Sequence, residues 1–98
     1  MSKNDLIKAI QSNTDTLKSY GVKSVGIFGS FAASRQTSKS DVDVLVEFKK
    51  EDKTFDNYME LKLFLEKLFK RRVDLVIKDA LKTRIKDRVL SETAYARL

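Results

Sequence analysis

Asp41 and Asp43, separated by one valine, follow a Gly29-Ser30 pair with ten residues between, and these four residues have the types and spacing that carry chemistry. Carboxylates at alternate positions offer hard oxygen ligands to a divalent cation such as Mg²⁺ or Mn²⁺. A glycine and serine closing an apolar run let backbone N–H groups come close to phosphate, with a hydroxyl beside them. Together they suit a metal-bound nucleotide and the in-line attack of a hydroxyl on the α-phosphorus of a nucleoside triphosphate. Two like charges repel, so burying such a pair is costly unless a cation compensates. For the Asp-x-Asp pair alone, a solvated strand edge is the favoured alternative. The Gly-Ser pair at this offset and a further aspartate, Asp74, shift the balance to metal.

The rest of the composition narrows the chemistry. The 98 residues contain no cysteine and no histidine. This excludes disulfides, thiolate nucleophiles, His/Cys zinc sites and imidazole general bases. Catalysis must use carboxylates, hydroxyls, Lys, Arg or metal. The length fits one domain, residues 1–98, with little left for a separate acceptor-binding unit. No apolar run approaches the ~20 residues of a membrane span, and no leader-like segment follows Met1. A complete cytoplasmic protein is therefore expected. Net charge is +6, unevenly spread: +4 over residues 1–40 (6 basic, 2 acidic), −3 over 41–69 (5 and 8) and +5 over 70–98 (9 and 4). A positive surround attracts polyanions such as nucleotides or RNA. For charge alone, a solvated lysine-rich surface is the favoured reading, and direct nucleic-acid binding is not favoured.

The elements that must position the aspartates follow from periodicity. Asn4 to Tyr20 carries Leu6, Ile7, Ile10, Leu17 and Tyr20 at roughly helical spacing, weakened at Asn13-Thr14-Asp15, where the helix can break. Gly21 suits its end. Val22 to Phe28 reads as a strand in which Gly26 admits a close neighbour. Phe31-Ala32-Ala33 fits one helical turn capped by Ser30. After a polar loop, Asp41 to Phe48 alternates strictly, with Val42, Val44, Val46 and Phe48 on one face and both aspartates on the other. Thr54 caps a helix to about Lys70, striped by Phe55, Tyr58, Leu61, Leu65, Leu68 and Phe69. A third strand runs from Arg72 to Ile77 with Asp74 on its polar side. A last helix covers about Lys82 to Leu90, with Leu81, Ile85 and Val89 one turn apart. Residues 91–98 extend it or fray.

The order α-β-(α)-β-α-β-α predicts an α/β (α+β) fold, a small mixed sheet of about three strands flanked by helices. The loop between the first two strands is too short for a parallel crossover, so they should be antiparallel. The helix between the second and third suits a right-handed parallel crossover. Ser30, Asp41, Asp43 and Asp74 then converge at one sheet edge. In this scheme Asp41 and Asp43 hold Mg²⁺, with a second ion shared with Asp74 at the acceptor hydroxyl. Gly29 and Ser30 hold the β- and γ-phosphates. Arg35 and Lys39 are candidate phosphate contacts, with a charged surface as the equal alternative. The alternative for Asp74 is an ion pair with Arg71 or Arg72. Arg84 and Arg88 fit a solvated helix face, and Tyr58 and the phenylalanines fit the core. Tyr95 is a partner contact or a cap on the core.

Gly29-Ser30, ten residues and Asp41-Val42-Asp43 resemble the signature of the DNA polymerase β-like nucleotidyltransferase superfamily. The short chain, Asp74 in the third strand and the closing Leu81-Lys82 helix resemble its minimal prokaryotic members, antitoxins paired with HEPN-domain ribonuclease toxins. The resemblance implies the palm-like fold. It also implies transfer of AMP from ATP to a tyrosine hydroxyl of a HEPN toxin, with Mg²⁺ as cofactor. Gly29 and Ser30 match the phosphate-binding positions, Asp41 and Asp43 the metal ligands, and Asp74 the third carboxylate. The family often has Arg-Gly four and five residues after the motif glycine, where this chain has Ala33 and Ser34. A binding-only antitoxin, and a transferase acting on RNA or a small molecule, are the alternatives.

Overall fold

The computed structural model describes all 98 residues. Helix α1 (Lys3–Gln11) begins at a reciprocal cap. The Asp5 N–H donates to Ser2 Oγ (3.2 Å), and the Ser2 N–H donates to the Asp5 carboxylate (2.9 Å). The helix breaks at the polar stretch: Asn13 Nδ2 donates to the Ala9 carbonyl at 2.8 Å, a side chain competing with the backbone ladder. α2 (Thr14–Ser19) is therefore separate. β1 (Val22–Phe28) runs antiparallel to β2 (Val42–Phe48), and β2 runs parallel to β3 (Val73–Ile77), as the connection lengths require. Between β1 and β2 lies the single turn α3 (Gly29–Ala32), and α4 (Phe55–Phe69) makes the crossover to β3. α5 (Thr83–Glu92) follows.

The sheet has four strands, not about three. Ala94–Tyr95 forms β4, antiparallel to β1, in the order β3-β2-β1-β4. Gly26 makes this possible. A Cβ there would lie 2.5 Å from Thr93 Cγ2 and 2.9 Å from the Ala94 carbonyl oxygen, so only glycine lets the tail close against β1. Just beyond β4, the Ala96 N–H donates to the Val25 carbonyl (2.9 Å).

One face of the sheet is dry. Val25, Ile27, Val42, Val44 and Val46 pack with Leu6, Ile10, Leu17, Leu61, Leu65 and Phe69, all buried. Each such side chain contributes ~1.5–3 kcal/mol on leaving water. The expected helical stripes hold with two exceptions. Phe55 is 76% exposed at the start of α4, and Ile85 is 42% exposed on α5. The opposite face carries Asp43, Leu45 and Glu47 in alternation. No helix is long and apolar enough to cross a membrane.

Candidate active site

Strand register builds the site. Phe28, Asp43 and Asp74 are lateral neighbours across β1, β2 and β3. Phe28 immediately precedes Gly29, so the β1 end delivers the Gly-Ser turn beside Asp43. Gly29 has φ +70°, and a Cβ added to it would meet Asp43 Oδ2 at 2.0 Å. The left-handed backbone favours glycine, and a Cβ here would have to displace the Asp43 carboxylate. Ser30 lies inside α3 rather than at its cap. Phe28 occupies the cap position and makes no side-chain bond there, so no side chain satisfies the first N–H groups of that turn.

Asp41 is exposed just before β2, Asp43 is half-buried, and Asp74 is exposed on β3. Burial, then the nearby Asp74 and Asp41 charges and a hydrogen bond with Asp74, push the Asp43 carboxyl up to about 6. Four ion pairs form in the molecule, and none involves these three carboxylates. The alternative pairing of Asp74 with Arg71 or Arg72 is absent. Arg71 instead donates to carbonyls of the polar loop.

The donor set fits a hard divalent cation, because negative charge is concentrated and uncompensated by protein cations. As the side chains stand, no three carboxylates close around a single point. Water and substrate oxygens would have to complete the shell of any ion held here.

A cavity of about 260 Å³ adjoins the turn, lined by Gly29, Ala32, Ala33, Arg35 and Glu92. Arg35 thus stands beside the Gly-Ser turn, whereas Lys39 is exposed and does not line the cavity. Glu92, from the end of α5, had no sequence signal because its place depends on the tail folding back. A larger cavity of about 490 Å³ lies around Lys23, Glu47, Lys53 and Asp79. The ion pairs Lys23–Glu47 and Lys53–Asp79 cross it, and it lacks the aspartate row. Ser34, where the resemblance implies glycine, has φ +59°. The loop keeps the left-handed bend without the glycine.

Residues 7–96 match the family model described as a nucleotidyltransferase domain. The chain belongs to that family and is a nucleotidyltransferase. It is 42% identical over 76 residues to the protein adenylyltransferase MntA of Thermococcus cleftensis, an alignment covering 78% of this chain and 76% of that one. A solved structure provisionally described as a minimal nucleotidyltransferase superposes with a TM-score of 0.82 at 32% identity, covering 96% of this chain and 95% of that one. A chain in the structure of the tri-AMPylated Shewanella oneidensis HEPN toxin in complex with MNT antitoxin superposes with a TM-score of 0.61 at 17% identity. That match covers 91% of this chain and 70% of the other, and carries the fold alone.

Proposed function

We propose that residues 1–98 form one catalytic domain, located in the cytoplasm, that transfers AMP from ATP to a tyrosine hydroxyl of a partner HEPN-domain toxin and thereby silences it. The observation that carries the reading is the abutment of Gly29 on Asp43 with Asp74 in register beside it, which joins a phosphate turn to a row of carboxylates. The name of the Thermococcus relative supports AMP transfer to protein, and the AMPylated HEPN–MNT complex supports the kind of partner.

In this reading the N–H groups of Gly29 and Ser30 and the Ser30 hydroxyl bind the β- and γ-phosphates, and Arg35 adds positive charge from the adjoining cavity. Two Mg²⁺ ions (or Mn²⁺), held by Asp41 and Asp43 with one shared by Asp74, would supply neutralisation of the triphosphate and a lower pKa at the acceptor hydroxyl. Asp74, exposed at the outer strand of the row, faces the acceptor. The hydroxyl oxygen bonds to the α-phosphorus, the bond to the bridging β-phosphate oxygen breaks, and pyrophosphate leaves with the displaced electron pair. The acceptor proton passes to solvent beside Asp74.

Incubation with α-labelled ATP, Mg²⁺ and a HEPN-domain toxin, the product of the neighbouring gene in this reading, should label that protein. Labelling that survives Asp41→Asn with Asp43→Asn would sink the site. Ala33, in place of an arginine, favours one second reading, neutralisation by binding alone. It predicts that the same double variant still protects against the toxin.

A further inference from the structure

The two halves of the site are joined by the polar segment 33–41, and one side chain from outside it ties that segment down. Arg71 follows α4 and precedes β3. Its Nη1 faces three loop carbonyls, Ser38 and Ser40 at 3.2 Å each and Thr37 at 3.5 Å. Its guanidinium also sits 5.3 Å from the ring centroid of Phe31, the fully buried residue after Ser30. The backbone beside it is fixed as well, since the Val42 N–H donates to the Arg72 carbonyl at 2.9 Å. Arg71 makes no ion pair, so carbonyl dipoles and the aromatic face meet its charge.

We propose that Arg71 is a positioning residue. It holds the Gly29-Ser30 turn, through Phe31, and Asp41, through the Ser38 and Ser40 carbonyls, at the spacing a metal–triphosphate requires. Asp74, three residues further on in β3, completes the frame. A planar fork that stacks and donates together is needed, and lysine offers only a point charge. The pinning stands on the contacts alone, and its effect on nucleotide binding rests on the transferase reading.

The test compares wild type, Arg71→Ala, Arg71→Lys and Phe31→Leu, with Arg72→Ala as control. Trypsin cleavage after Lys39 reports the loop, and calorimetric titration with Mg²⁺ and ATP reports the site. Losing the loop-carbonyl contacts in Arg71→Ala should speed loop cleavage and lower nucleotide affinity by about tenfold each, with circular dichroism unchanged. Arg71→Lys should not rescue either effect, and Arg72→Ala should match wild type. Wild-type cleavage and affinity in both Arg71 variants, or full rescue by lysine, overturns the proposal. If Arg71→Ala does not fold, Arg71→Lys and Phe31→Leu decide it. If wild type binds no Mg²⁺–ATP, the transferase reading fails instead, and cleavage still decides the pinning.

Discussion

Two residues at positive φ, one opening α3 and one just after it, have opposite expected responses to substitution. Ser34 holds φ +59°, a left-handed conformation that costs a residue bearing a Cβ roughly 1–2 kcal/mol. Glycine would remove that cost while losing ~0.5–1 kcal/mol of chain entropy. Ser34→Gly should therefore raise stability by about 0.5–1 kcal/mol in urea unfolding, with the slope against denaturant unchanged. A lower midpoint would show that the serine side chain contributes something its backbone does not reveal. Gly29→Ala should do the reverse, because its methyl would collide with Asp43 Oδ2 as well as meet an unfavourable φ. That variant should lose both stability and nucleotide binding. The placement of Gly29 beside the aspartates was legible from residue type and connection length. The Ser34 strain was not, since a serine there gives no hint of the bend it must adopt.

At the scale of elements, alternation from Val42 to Phe48 and the length of each connection were enough to place Asp43 beside Asp74, because strand period and crossover handedness leave few options. Two elements depended on longer-range effects. The split between α1 and α2 turns on the Asn13 side chain taking the Ala9 carbonyl, a local competition that periodicity only hints at. β4 has two residues and no alternating pattern of its own. It exists because Gly26 leaves room for Thr93 and Ala94. Gly26→Val should therefore release the tail while β1, β2 and β3 stay paired. The Ala96 amide, which donates to Val25, should exchange with solvent at least about tenfold faster, whereas amides of β2 keep their protection. Uniform loss of protection would mean that β4 is integral to the sheet. Glu92 and its place in the cavity share this dependence on the tail, which is why no spacing rule pointed to them.

For the whole molecule the absence of histidine becomes useful. No histidine titrates between pH 5 and 8, and the lowered Asp5 carboxyl, held down by its Ser2 hydrogen bonds, changes charge below that window. Asp43, raised to about 6 mainly by burial and then by Asp74 and Asp41, is the one side chain with a shift that falls inside it. Its folded-state value lies above its unfolded one, so the folded protein binds the proton more tightly. The metal-free protein should gain stability as pH falls from 7.5 through 6 and towards 4, where the unfolded chain also becomes protonated. A divalent ion with ATP binds the deprotonated form, so the stabilisation it confers should decline over the same fall in pH. Thermal unfolding from pH 5 to 7.5, with and without Mg²⁺–ATP, should give two trends of opposite sign. Asp43→Asn removes the titrating group and one of three crowded charges. It should flatten the metal-free trend and raise Tm at pH 7.5, while eliminating the Mg²⁺–ATP shift. A wild-type profile retained in Asp43→Asn would place the titration elsewhere and leave the aspartate row an ordinary solvated edge.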